Sequence, residues 1–520
     1  MMSEKQLYES GMLEIVKGAA ITFFMAIFGY LFMFFFKLIG ARYLGPADWG
    51  LFTLAWTIMS ALLIFPHLGL FNAIQIYFQE YIAKKKLGLL KGFLQLSVFL
   101  SFFLSLIMSF FLFVFSKKIT LFFNYPEQFA VLLKIIAFLL VVKLLSTFLR
   151  QLFMSNKEII KFSFSRQIFE SGGLFFAGLL TYLLKLDLFF MYVFILLFTF
   201  FSFVLELLMA KNLLKNYLFI KEKPSYKFKE WFAFSLPLLF TGIFTFMLTW
   251  TDNLMLGKLM DPSSLAVYSI AFSLASFTLF FYGAFIKVFS PLAAQKFFRK
   301  QKDDFLFLFK KSASWVFGLT FPVFLVFALY SKQLLKLVYG LEYVSGYWPL
   351  IILSFGMVLN VSFGFSNVII NIHKNSKFIF KLTLVLASIN ILLNYFFINS
   401  WGILGAALST ALVMIVRELI LFLKARALSD VSLDLPYYFK FVIAGLLAVY
   451  PAASLFRLSL NPYLALLCSA FIYGGLYLLF LLLLRTFKSE DYQVFLLLEK
   501  KLGLNLVFIK KVVKKLVGQK

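Results

Sequence analysis

The sequence predicts an all-α integral membrane protein of about fourteen transmembrane helices, arranged as two pseudo-symmetric six-helix lobes followed by two C-terminal helices. Three observations predict it. The chain is 62% hydrophobic and only 14% charged, with a mean hydropathy of +0.94, whereas a water-soluble surface needs about a quarter charged residues. Apolar runs of roughly twenty residues, enough to cross the hydrocarbon of a bilayer, recur from one end to the other. The stretch Gly40-Ala-Arg-Tyr-Leu-Gly-Pro-Ala-Asp-Trp-Gly50 is echoed downstream by Gly257-Lys-Leu-Met-Asp-Pro262.

From Pro46 the first copy runs to Gly50, Phe52 and Ala55, and from Pro262 the second runs with identical spacing to Ala266, Tyr268 and Ala271. Gly40, Gly45, Pro46 and Gly50, with Gly257 and Pro262, are therefore the expected motif and hinge positions. Copies roughly 217 residues apart, each between hydrophobic helices, indicate an internal duplication, and a site at the interface of two such halves is the usual transporter arrangement. Six spans separate equivalent points, so the copies share one orientation.

Taken in order, runs bounded by charge or by Gly, Pro and Asn place spans near 16–39, 51–78, 93–115, 131–153, 164–184, 188–210, 232–256, 264–290, 312–331, 348–372, 378–398, 403–424, 437–457 and 462–485. The first apolar run, Gly18 to Phe36, exceeds a signal-peptide core and has no small-residue cleavage pattern behind it, so it reads as a retained helix. The second span carries Thr57, Asn72, Gln75 and Gln79, with Pro66 as a kink site. In span seven Thr241, Thr245, Thr249 and Asp252 fall on one face, and in span eight so do Ser269, Ser273, Ser276, Gly283 and Lys287. Span ten aligns Gly356, Asn360, Gly364, Asn367 and Asn371, which reads as helix packing. The lobes are then 1–210 and 232–424, joined by a basic linker over 211–231, with spans thirteen and fourteen in 425–485. The tail, 486–520, has Leu506, Ile509, Val513 and Leu516 at helical spacing among Lys510, Lys511, Lys514 and Lys515, the pattern of a helix lying on an anionic leaflet.

The net charge of +27 belongs to topology and not to nucleic acid, because the basic residues lie between spans and accompany no base-reading motif. Alternate loops are rich in them: Lys84, Lys85, Lys86 and Lys91; Arg150, Lys157, Lys161 and Arg166; the 211–231 linker; and Lys296, Arg299, Lys300, Lys302, Lys310 and Lys311. The positive-inside rule makes these loops, and both termini, cytoplasmic. Labelling of Lys221→Cys or Lys300→Cys from outside intact cells would overturn that orientation. One cysteine, Cys468, and two distant histidines, His67 and His373, support no disulfide framework, metal site or resident cofactor.

Polar stripes in a membrane span either line water or join helices. Those of spans seven and eight each include an ionisable residue, Asp252 or Lys287, which points to a shared polar cavity. Lys143 falls near the middle of span four, where insertion of a lysine costs about 2.5–3.5 kcal/mol. It needs water or a partner, and a purely structural ion pair with Glu170 or Glu206 is the alternative to a cavity role. Lys37, Arg150, Arg417 and Glu418 lie nearer span ends, where long side chains snorkel. Asp252 is a candidate for binding a coupling H⁺ or Na⁺, the alternatives being a carboxylate solvated by outer water or a helix cap.

Ala41-Arg42-Tyr-Leu-Gly-Pro-Ala-Asp-Trp-Gly50-Leu-Phe resembles the signature after the first helix of Wzx-type polysaccharide-unit flippases, in the MATE-like MOP superfamily. Asn390-Ile-Leu-Leu-Asn394 and Trp401-Gly-Ile-Leu-Gly-Ala-Ala-Leu-Ser-Thr410 are similar to the asparagine-pair and Gly-x-x-Gly-Ala-Ala patterns of its spans eleven and twelve. The resemblance extends to the end of the chain. It implies a V-shaped pair of six-helix bundles that moves lipid-linked oligosaccharide from the cytoplasmic to the outer leaflet of the cell membrane by alternating access, for surface polysaccharide synthesis. Such families carry a cationic cavity; here Arg42 matches the motif, while span one has no basic residue in its middle. The expected cavity set is Arg42, Gln75, Lys143, Thr245, Thr249, Ser273, Ser276 and Lys287. Expected partners are the lipid-linked oligosaccharide, membrane lipids, and a polysaccharide polymerase or glycosyltransferases. A lipid II flippase is the nearest rival and a MATE-type cation-coupled exporter the next. A membrane glycosyltransferase or ligase is disfavoured, because the outward loops are short and hold only scattered carboxylates, Glu127, Asp187, Asp261 and Glu342. No enzymatic activity is expected.

Overall fold

The structure, a computed structural model, describes residues 4–454 and 461–486. The expected amphipathic tail helix, the end of span thirteen and the first side chains of span one lie outside the described residues. The helices are α1 Glu4–His67, α2 Leu70–Ala83, α3 Leu87–Phe123, α4 Gln128–Ser155, α5 Ile159–Ser163, α6 Ser171–Leu183, α7 Leu188–Leu213, α8 Phe228–Leu259, α9 Pro262–Ala275, α10 Phe280–Phe298, α11 Lys302–Leu334, α12 Tyr347–Phe363, α13 Ser366–Ile372, α14 Ser376–Trp401, α15 Ile403–Ser429, α16 Leu435–Ser454 and α17 Pro462–Leu483. No strand occurs among the described residues. Only helices, or closed barrels, satisfy every backbone polar group inside hydrocarbon.

Twelve helical stretches are long and apolar enough to cross a membrane, against about fourteen spans expected, and two local features separate the numbers. The first two expected spans run together as α1, which is broken internally at Gly45 (φ 79°, ψ 173°). Only glycine adopts that conformation at little cost, and Pro46 behind it provides no backbone N–H to continue the preceding turn. The fifth expected span is divided into α5, a π-helical segment Phe164–Glu170 and α6, each too short to span alone.

Two compact units divide the chain, Met1–Ser269 and Ile270–Lys520. The first is organised around a core that includes Phe71, Phe93, Phe148 and Trp231. Trp231 is fully buried, and its indole N–H donates to Tyr81 Oη at 2.7 Å, as a buried tryptophan requires. In the second unit α16 and α17 pack on α11: Tyr477 Oη donates to Gly318 O at 2.8 Å, and the Phe441 ring fills the space beside Gly318 where a side chain would stand. The asparagine pair is buried here too, with Ser409 donating to Asn394 Oδ1 at 2.7 Å and Asn394 Nδ2 donating to Asn390 O at 3.0 Å. Gly356 packs on Ala411 and Gly364 on Tyr282, in keeping with the packing role expected of span ten.

Helix starts follow local chemistry. Asp187 accepts from Phe190 N at 3.3 Å to cap α7. Asn461 accepts from Tyr463 N at 3.0 Å, with Pro462 at the first turn of α17. Asp261 caps α9, taking Ser264 N at 3.1 Å and Ser264 Oγ at 2.6 Å, again with a proline directly behind.

Candidate functional site

The strongest concentration of charge inside the membrane-spanning part of the first unit is assembled from four elements. On α4, Lys143 and Arg150 are seven residues apart and so share one helix face. The π segment supplies Ser165 and Glu170. Five residues apart, these would point about 140° away from each other on an α-helix, but the i→i+5 winding of a π turn brings them round to one side. Glu206 comes from α7 and Trp56 from the second limb of α1.

Glu170 accepts from Lys143 Nζ at 3.0 Å and, through its other oxygen, from Arg150 Nη1. Arg150 Nε donates to Glu206 Oε1 at 3.1 Å, and Ser165 donates to the same oxygen. Lys143 Nζ also stands 4.1 Å from the centre of the Trp56 ring, a cation–π contact that strengthens as water is removed. In these contacts two cations face two carboxylates and each makes at least one charge-assisted hydrogen bond, the pairing that lets ions persist in low dielectric. Beside it Trp56, Lys143, Arg150, Glu170, Thr199 and Ser202 line a crevice of about 310 Å³ including its open mouth. Its interior has room for a water-sized sphere, about 10 Å³; it suits water or an ion and not a sugar chain.

The structure thus gives Lys143 the ion pair with Glu170, and Glu206 goes to Arg150. Arg150 does not snorkel as expected of a span end. It is buried, because α4 continues to Ser155 and the neighbouring segments carry carboxylates at its level. Glu418 is buried as well, and Arg417 donates to its Oε1.

A second cluster is formed where the two motif copies meet within the first unit. Gly50 rests on the backbone of Pro262, and Gly257 on the Leu54 side chain. Thr53 Oγ1 and Ser269 Oγ, equivalent positions of the two copies, are 3.4 Å apart. Asn253 Nδ2 donates to Thr57 Oγ1 at 3.3 Å. Asp252 is only 3% exposed and accepts from the Tyr268 hydroxyl and from Asn253 N at 2.9 Å. Of the alternatives for Asp252, the structure excludes a water-exposed carboxylate. Tyr268, the phenol that holds it, was legible only as a repeat position.

Arg42 is exposed on α1, three residues before the break. Gln75 is exposed on α2 and donates to Gln151 Oε1 at 2.9 Å. The hydroxyls of Thr241, Thr245 and Thr249 each donate to the carbonyl four residues back, at 2.8–2.9 Å; the stripe's hydroxyls serve their own helix, while Asp252 turns into the unit. Ser276 likewise bonds Phe272 O at 2.8 Å, and Ser273 is half-buried on α9. The single narrow face expected of span eight is not kept. A 3₁₀ turn, Ser276–Leu279, separates α9 from α10, and its tighter winding rotates Gly283 and the exposed Lys287 by roughly 80° relative to the serines. Among the described residues no group of three His, Cys, Asp or Glu could hold a metal.

The profile of a family described as polysaccharide biosynthesis protein matches residues 39–348, a range that contains both motif copies and both clusters. The chain is similar, at 25% identity over 203 residues, to the probable low-salt glycan biosynthesis flippase Agl15 of Haloferax volcanii; the alignment covers 38% of this chain and 42% of that relative, less than half of its length. Among solved structures, the lipid II flippase MurJ in an inward closed conformation superposes with a TM-score of 0.70 at 16% identity, over 89% of this chain and 98% of that one. An inward-facing multidrug resistance MATE family transporter of the MOP superfamily superposes with a TM-score of 0.61 at 13% identity, over 79% of this chain and 97% of the other. The chain has their all-helical membrane fold.

Proposed function

Since the chain belongs to the polysaccharide biosynthesis protein family, we propose that it is a flippase that carries a lipid-linked oligosaccharide from the cytoplasmic to the outer leaflet of the cell membrane by alternating access. The observation that carries this reading is the family match across both motif copies, joined by the alignment to a glycan flippase. The physical task fits. A polyprenyl-pyrophosphate headgroup is anionic and its sugars are polar, so neither crosses about 30 Å of hydrocarbon unaided, whereas the tail can stay in lipid.

Arg42 and Lys287, both exposed, are the cations we assign to the headgroup. Gln75, Thr245, Thr249, Ser273 and Ser276 would line the route for sugar hydroxyls. Asp252, held by Tyr268, would bind the coupling H⁺ or Na⁺, since neutralising a buried carboxylate changes which packing is favoured. The protein would perform no covalent chemistry, and would work between the glycosyltransferases that build the unit and the polymerase that consumes it.

The test is reconstitution of the purified protein with fluorescent lipid-linked oligosaccharide, scored for leaflet exchange against empty vesicles, with lipid II as a parallel cargo. Exchange of the oligosaccharide above the empty-vesicle rate is expected, and preference for lipid II would replace the assignment. In the same assay Arg42→Gln and Lys287→Gln should each slow transport at limiting cargo without altering thermal stability; normal rates in both variants would remove them from the headgroup site. Asp252→Asn should abolish the dependence on pH or Na⁺, and gradient-driven transport with wild-type ion dependence would exclude Asp252 from coupling.

A further inference from the structure

The segment joining α7 to α8 is basic and polar, yet it is held against the first unit as a fixed strap. Lys91 Nζ donates to the carbonyls of Ile220 at 2.6 Å and Glu222 at 3.0 Å. Ser225 N donates to Gly88 O at 2.9 Å. The strap backbone at Lys223 and Ser225 occupies the space that side chains at Gly88 and Gly92 would need. Two glycines one helical turn apart thus form a track on α3 for this backbone.

The strap ends on an aromatic platform. Tyr226 and Phe228 stack with ring centres 5.3 Å apart and planes 2° from parallel, and both meet the edge of Trp231 at 6.4 and 6.2 Å. Trp231 is fully buried, while Tyr226 is 46% and Phe228 50% exposed. Two half-exposed aromatic rings therefore stand on a rigid base, and Phe219, earlier in the same segment, is 70% exposed. Lys221, Lys223 and Lys229 are exposed on the strap and the first turn of α8, and Lys85 and Lys86 are exposed in the turn immediately before Gly88. Lys84 and Lys227 are engaged with Glu80 and Glu230, so the outward surface keeps an excess of positive charge.

We propose that this strap is a docking surface for the phosphate-bearing headgroups of anionic bilayer lipids. A Tyr side chain with its hydroxyl in water sits at headgroup depth, the stacked Phe228 ring adds apolar area beside it, and lysines close to an anionic surface each contribute about a fivefold preference. Because Lys91 and the glycine track fix the backbone beforehand, little ordering entropy is lost on docking. The lipid is bound from the leaflet and is not the transported cargo, so the inference stands apart from the flippase reading.

The experiment uses the full-length protein released from nanodiscs of equal phosphatidylglycerol and phosphatidylcholine, with retained lipids counted by native mass spectrometry. Wild type should retain phosphatidylglycerol preferentially. Combined Lys221→Gln, Lys223→Gln and Lys229→Gln, all at exposed positions, should lower that preference at least about tenfold at low salt. Gly92→Leu should lower it with every lysine in place, by displacing the strap from its track. A triple variant with wild-type preference overturns the proposal, and an unchanged Gly92→Leu variant that elutes as wild type overturns the role of the fixed strap. A wild type that shows no phosphatidylglycerol preference yet retains inorganic pyrophosphate in nanodiscs of phosphatidylcholine alone also overturns it, since the patch would then be a site for free phosphate.

Discussion

Arg150→Met is expected to destabilise the protein by about 3–5 kcal/mol, the cost of removing one partner from a buried ion pair. Met preserves most of the side-chain volume, so the loss is electrostatic: Glu206, fully buried, loses its guanidinium partner while retaining Ser165, and Glu170 loses one of its two ion-pair partners while retaining Lys143. Lys143→Met should cost distinctly less, because Glu170 retains Arg150 and Lys143 borders the open crevice. Adding Glu206→Gln to Arg150→Met should recover part of the loss, since the two residues share one interaction. The measurement is the thermal unfolding midpoint in nanodiscs. Arg150→Met melting with the wild type, or Lys143→Met proving the worse variant, would refute the network as a stabilising unit.

Gly50→Val is expected to prevent accumulation of folded protein, and Gly50→Ala to weaken it by about 1–3 kcal/mol through overpacking. Helix propensity alone argues the opposite sign, since alanine gains about 0.5–1 kcal/mol over glycine inside a helix. The clash wins because the obstacle is the Pro262 backbone, which is fixed by proline and by the Asp261 cap of α9. Gly283→Ala on α10 is the control: nothing lies within 4 Å of its added methyl group, so the propensity gain should appear there undiminished. Equal stability of Gly50→Ala and Gly283→Ala would show that the close approach at Pro262 does not exist in the folded protein.

Glycine and proline made the motif legible in the sequence. Gly45-Pro46 announces a helix break, Asp261-Pro262 announces a helix start, and their common spacing to Phe52 and Tyr268 announces a repeat. The partners within the charged cluster were not legible in the same way. Lys143 had to be compensated, but whether Glu170 or Glu206 did so depends on a π turn over Phe164–Glu170, and a winding change has no compositional signature. The same limit applies to span eight, where four residues of 3₁₀ helix rotate Lys287 off the serine face. Arg150 was within reach, since its seven-residue spacing from Lys143 places both on one side of α4. What misled was its distance from the span centre, which counts for little when an adjacent helix carries a buried carboxylate.

The contact between Thr53 and Ser269 spans 216 residues, and this separation sets a schedule for synthesis. At translation rates of 5–20 residues per second, roughly 10–40 s pass between the appearance of the first hydroxyl and that of its counterpart. For that interval the second limb of α1 lacks the Pro262 contact at Gly50 and the Ser269 contact at Thr53, which form only when α8 and the start of α9 arrive. Membrane insertion of the early helices must therefore be durable without the contact that later locks them. The first unit is consequently finished late, by a segment that belongs to the second half of the repeat.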